Sequence, residues 1–160
     1  MFRAAEARGH ALMGDAGAAQ EAAGRAIDAM EAADPASGDD PVWIAHFDEA
    51  YLADELAHCH RDLGQAEAAA RCAREALAGH PESRVRRRAI GYVLLATAQV
   101  QQREVEQACT TGLKAVELLD GLRSHRGAEY LEDFQQRLEP YQEEPVVREF
   151  GARMALPAAA

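Results

Sequence analysis

The chain has 160 residues, of which 48% are hydrophobic, a size and balance that fit one globular domain able to bury a core without disulfide staples. Its 17 basic and 27 acidic residues leave a formal charge of −10, which disfavours direct contact with nucleic acid or with an anionic membrane surface. Three cysteines, an odd number, argue against a disulfide framework and for a reducing compartment.

Alanine supplies 36 of the 160 residues, and lysine occurs once, at Lys114, against 16 arginines. Alanine is the strongest helix former and a weak strand former, so the composition predicts an all-α protein. No apolar run reaches the ~18 residues of a membrane span. The charged start Met1-Phe2-Arg3-Ala4-Ala5-Glu6 lacks the apolar core of a secretion signal, and a cytoplasmic location is expected. No phosphate-binding loop, dinucleotide fingerprint, zinc-protease motif or nucleophile elbow is present.

Breakers divide the chain into about eight predicted helices. Phe2 to Met13 is followed by Gly14-Asp15, and Gly17 to Ala33 by Asp34-Pro35. Ala36 to Pro41 concentrates turn residues, and Asp40-Pro41 reads as a helix start. Trp43 to Leu63 is helical, in one piece or in two with Asp48 capping the second, and Gly64 ends it. Gln65 to Ala78 closes at Gly79-His80-Pro81. Ser83 is the expected cap of a helix to about Gln101, and Glu104 to Leu119 comes next. Ser124 caps a helix to Leu138, Pro140 breaks the chain, and Glu144 to Met154 forms a last short helix with Pro145 in its first turn. Residues 157–160 are expected to form a disordered tail.

Beneath this lies a period. Ala57, Ala69 and Ala76 are separated by 12 and then 7 residues, with Gly64 between the first two. Ala96, Ala108 and Ala115 repeat those steps with Arg103 at the turn, and Ala7, Ala19 and Ala26 repeat them with Gly14. A small residue in the first helix lets a partner helix approach closely. Two alanines seven apart lie on one stripe of the second helix, facing the first. A glycine between them ends the first helix in a left-handed conformation.

The set Ala57, Gly64, Ala69, Ala76 and Pro81 resembles the tetratricopeptide repeat. Arg103 and Asp120 depart from that pattern where a turn glycine and a closing proline are usual, and Arg3 stands where an aromatic is usual. The spacing also departs, because Ala69 to Ala108 is 39 residues and Ala19 to Ala69 is 50. The resemblance implies an all-α, right-handed array of antiparallel helix hairpins. About three and a half units would fall near residues 1–34, 42–81, 83–120 and 124–155 of one domain spanning 1–156. A narrower resemblance rests on Trp43-Ile-Ala-His-Phe47-Asp48, Leu52, Glu55-Leu56, Leu63-Gly64, Arg86 to Arg88 and Ser124-x-Arg126. This run is similar to the C-terminal repeat region of actinobacterial helix-turn-helix transcriptional regulators. It implies a sensor or oligomerisation part of a transcriptional regulatory system, with no DNA-binding residue carried over to this chain.

Candidate sites divide by chemistry. His58-Cys59-His60 cannot converge on one ion, because successive helical residues point about 100° apart, so no metal site and no cofactor is expected. Cys59, Cys72 and Cys109 read as small buried thiols, and no catalytic residue is assigned. Glu49 with Glu55, and Glu143 with Glu144, read as solvated faces. Arg84, Arg86, Arg87 and Arg88 form a basic cluster in the first turns of a helix, where the macrodipole disfavours cations. They are expected to pair with acidic neighbours such as Glu75 or Glu82, or to dock an acidic partner segment. Repeat arrays bind along the wall lined by the first helix of each pair. That register gives Tyr51, Asp54, His58 and Arg61, then Ile90, Val93, Thr97 and Val100, then Leu131 and Gln135. The expected partner is a peptide or protein. The alternative is a structural dimerisation scaffold without a groove ligand, in which Phe2, Leu12 and Met13 pack on a second subunit, and an enzyme is the least favoured reading. Trp43 and Phe47 are expected core anchors between the first two hairpins.

Overall fold

A computed structural model describes residues 1–33, 46–120, 122 and 124–155. The expected loop at Ala36 to Pro41, the Asp40-Pro41 helix start, Trp43 and the tail at 157–160 lie outside them. All regular structure among the described residues is helical. The chain divides into two compact units, Met1–Gly79 and His80–Ala160.

The first unit holds α1 (Phe2–Leu12), α2 (Ala16–Glu31), α3 (Glu49–Asp62) and α4 (Ala66–Gly79). α1 pairs with α2 and α3 with α4 as antiparallel hairpins, and α3 also packs on α1. Ala7, Ala19, Ala57, Ala69 and Ala76 are all within 2% of full burial, and Ala26 is 4% exposed. The 12-and-7 alanines are therefore the contact points of the hairpins, where larger side chains would hold the helices apart. Ala4, Ala26 and Leu52 form one core cluster with Met30, Phe47 and Leu56 against it. Phe47 thus sits between the first hairpin and α3, as expected of a core anchor. α4 ends at Gly79, where the Gly79-His80-Pro81 run is expected to close it, and the glycine also serves close packing, since an added Cβ would stand 2.7 Å from that of Ala50.

The second unit holds α5 (Val85–Gln101), α6 (Val105–Leu119), α7 (His125–Arg137), a 3-10 turn (Glu139–Tyr141) and α8 (Pro145–Met154). α5 and α6 form the third hairpin, on Ala96, Ala108 and Ala115, each with no exposed surface. α7 packs on α5 and α8 on α6. Their rings meet at Phe134 and Phe150, edge to face with centroids 5.2 Å apart, above Gly112 of α6. From Ala89 to Val100 every residue but Tyr92 is buried, the polar Thr97 and Gln99 included, because α6 and α7 both pack on this helix.

The three hairpin turns share one geometry. Gly14 and Gly64 have φ of 75° and 70°, and Arg103, at the equivalent place, has φ 63°. In each turn the next amide reaches back five residues, Asp15 to His10, Gln65 to His60 and Glu104 to Gln99, at 2.8–3.0 Å. The left-handed residue itself donates three residues back, to Ala11, Arg61 and Val100. This pair of bonds is the Schellman closure. Glycine adopts it without strain, and Arg103 adopts it because the alanine spacing fixes the turn length.

Several caps follow the residue types. Asp48 accepts from the Tyr51 amide at 2.9 Å and starts α3, and residues 46–48 are not helical. Ser124 accepts from the Gly127 amide and starts α7. Ser83 does not cap α5. The N-cap is Arg84, without a side-chain cap bond, because the chain turns at 82–83 and enters the helix one residue later.

Candidate functional site

α3 carries the first group of expected wall residues. Tyr51 is half-buried, with its ring 4.9 Å from that of Phe47 and 5.5 Å from that of His46. Asp54 and His58, one turn apart on one face, are each 1% exposed. Arg61 keeps part of its surface and is held by its neighbour, Nε donating to Asp62 Oδ1 at 2.8 Å. Tyr51 is thus the α3 member with most side chain to offer, since only 11% of the Arg61 side chain is exposed.

In the second unit, Val93, Val100 and Leu131 belong to the hydrophobic core, where α7 covers α5. Ile90 and Thr97 are buried as well, and the Thr97 hydroxyl has no hydrogen-bond partner among the described residues. Gln135, on the outer side of α7, is exposed.

The basic cluster turns largely inward. Arg88 Nη1 donates to the His80 carbonyl at 3.0 Å, and Arg84 Nη1 lies 3.3 Å from His80 Nδ1. His80 is itself 3% exposed, so these arginines tie down the entry to α5. Arg84, Arg87 and Arg88 are half-buried, and Arg86 is exposed.

The residues around Cys59 diverge. Cys59 faces Ala7, Ala11, Ala19 and Ala22, while His60 points outward with Nδ1 2.6 Å from Gln65 Oε1. Burial pushes the Cys59 thiol up to about 11; the Arg8 guanidinium pulls the other way, and Glu55 and Asp62 add smaller upward contributions. Cys109 is likewise pushed up to about 11 by burial, with Glu144 adding to it, and burial with Glu75 raises Cys72. All three are free and buried, so their sulfurs are protonated at neutral pH and poorly nucleophilic. No group of three His, Cys, Asp or Glu side chains among the described residues is placed to hold a metal ion.

Glu55 departs from the solvated reading. It is 9% exposed and accepts from Arg8 Nη1 of α1 at 3.2 Å, because α1 crosses α3 over this turn. The pairing needs α1 and α3 side by side, a contact 47 residues apart in sequence that no local pattern announces.

An open cavity of about 600 Å³ lies at the start of α6, where the 3-10 turn and the first residue before α8 face it. Arg103, Glu104, Glu106, Thr110, Tyr141 and Glu144 are among its lining residues. Sequence reasoning missed it because α6 and the 3-10 turn meet only once α8 is seated on α6.

No described helix is long and apolar enough to cross a membrane. No family model matches the chain, and comparisons with curated proteins and with solved structures find no match.

Proposed function

We propose that the chain is a non-enzymatic protein- or peptide-interaction module built as a right-handed, tetratricopeptide-like array of about three and a half hairpins. The observation that carries this reading is the recurrence of one hairpin three times. The alanine contacts, the 12-and-7 steps and the left-handed turn return at 7–26, 57–76 and 96–115. Repeated helix pairs of this kind offer extended surfaces for partners rather than enclosed reaction sites. The inward, protonated thiols are in keeping with that use.

The finer role is the sensor or oligomerisation part of a transcriptional regulatory system in the cytoplasm. It rests on the resemblance carried by Phe47-Asp48, Leu63-Gly64, Arg86 to Arg88 and Ser124-x-Arg126. In this reading Tyr51 and Arg61 of the first unit meet the partner, Arg86 and Gln135 are the exposed side chains that the second unit offers by itself, and Asp54, His58, Val93 and Thr97 shape the helices that carry them.

The test is a peptide array probed with the labelled chain, followed by titration of the strongest peptides. Saturable binding that weakens at least tenfold in Tyr51→Ala or Arg61→Ala, with helicity unchanged, is expected. Absence of saturable binding, or equal binding by both variants, contradicts the reading.

A further inference from the structure

The cavity at the start of α6 has two walls. The turn into α6 and its first residues supply Arg103, Glu104, Glu106 and Thr110. The 3-10 turn and the residue before α8 supply Tyr141 and Glu144. Its volume of about 600 Å³ lies within the roughly 300–1,000 Å³ of clefts that hold ligands, and all of its lining belongs to the second unit.

The charges around it do not answer one another. Glu104 and Glu144 are the N-caps of α6 and α8, and neither carboxylate makes a cap bond. Glu106 meets Thr110 through its backbone carbonyl at 3.0 Å, which leaves its carboxylate out of the contact. None of Arg103, Glu104, Glu106 and Glu144 forms an ion pair with a described residue. Three carboxylates against one guanidinium leave the lining at −2. The two helix starts oppose this with roughly +0.5 each, so the cavity stays at about −1 and favours a cation.

The walls select among cations. No group of three His, Cys, Asp or Glu side chains among the described residues is placed to hold a metal ion. Tyr141 is half-buried against the core of the second unit, which fixes the ring where it lines the cavity. A fixed ring with carboxylates on both walls suits a planar guanidinium, which stacks on aromatic faces and pairs with carboxylates through two parallel hydrogen bonds. An ammonium is a compact point charge and uses neither feature as fully. An acidic segment meets repulsion.

We infer that this cavity is a second docking site, which takes an arginine side chain from a basic segment of a partner against Tyr141 and the carboxylates of Glu106 and Glu144. It shares no residue with the partner-binding reading above, so either can fail alone.

The probe is a fluorescein-labelled peptide of three arginines spaced by glycines, titrated by anisotropy with the 160-residue chain at about 150 mM salt. Saturable binding is expected, weakened roughly fivefold or more in Glu106→Gln with Glu144→Gln. Glu117→Gln with Glu132→Gln removes the same two charges from exposed positions outside the cavity, and should change the affinity by less than about twofold. Arg103→Gly should tighten binding roughly twofold or more, because it removes a rival guanidinium. Loss of fold cannot produce a gain of that sign. The same peptide with lysine in place of arginine should bind roughly threefold more weakly or worse. No saturable binding, equal loss in the two double variants, weaker binding by Arg103→Gly, or equal binding of the lysine peptide would each overturn the inference.

Discussion

Replacing Gly112 by alanine sets two physical effects against each other. Gly112 lies within α6, where alanine should gain about 1 kcal/mol in helix propensity. Its missing Cβ, however, is what admits two rings. A methyl there would stand 2.7 Å from Phe134 Cε1 and 3.0 Å from Phe150 Cε2. Both rings are fully buried and lock against each other, so neither can retreat without moving α7 or α8. Overpacking of this kind costs about 1–3 kcal/mol, and here it must displace two side chains, which places the cost at the upper end. The net expectation is a loss of about 1–2 kcal/mol after the helix gain is subtracted. Gly24→Ala is the control, since nothing lies within 4 Å of that position and only the gain remains. Urea unfolding followed by circular dichroism at 222 nm should therefore move the two midpoints in opposite directions. A Gly112→Ala midpoint at or above the parent, with unchanged slope, would refute the close approach of α7 and α8 over α6.

Three further outcomes are expected. Arg103→Gly should stabilise the third hairpin by roughly 0.5–1 kcal/mol in the same unfolding assay, because it relieves a side chain held at φ 63°; destabilisation would show that the turn is not left-handed. Thr97→Val should leave stability unchanged or raise it by up to about 1 kcal/mol, since the buried hydroxyl has no partner among the described residues to lose, and a marked loss would reveal one. The thiols of Cys59 and Cys109, pushed up to about 11 from 9, lose protons first in the unfolded chain. Their contribution is therefore complete below about pH 9 and disappears as pH rises through about 11. Stability measured from pH 8 to 11 should fall more steeply in the parent than in Cys59→Ala with Cys109→Ala, and identical slopes would contradict the burial of these sulfurs.

Much of the helical framework was legible because it is written locally. Alanine at steps of 12 and 7 marks the hairpin contacts, and even Arg103 obeys the turn that this spacing demands. Asp48 and Ser124 announced their helices because a side-chain acceptor near free amides is a local event. Ser83 failed for a reason of one residue: which backbone position enters the helix first depends on how the preceding turn closes. Glu55 failed because its burial depends on Arg8, which the fold brings from another hairpin. The expected wall residues Val93, Val100 and Leu131 show the same limit. Periodicity identifies one face of a helix, but whether that face meets a ligand or another helix depends on where α7 settles.

Hydrogen exchange of the chain, alone and saturated with its best array peptide, tests the central claim of an interaction module most directly. New protection should appear along α3 around Tyr51 and Arg61 on adding the peptide, and should be lost in Tyr51→Ala. Unchanged exchange along α3, or protection confined to another surface, would contradict it.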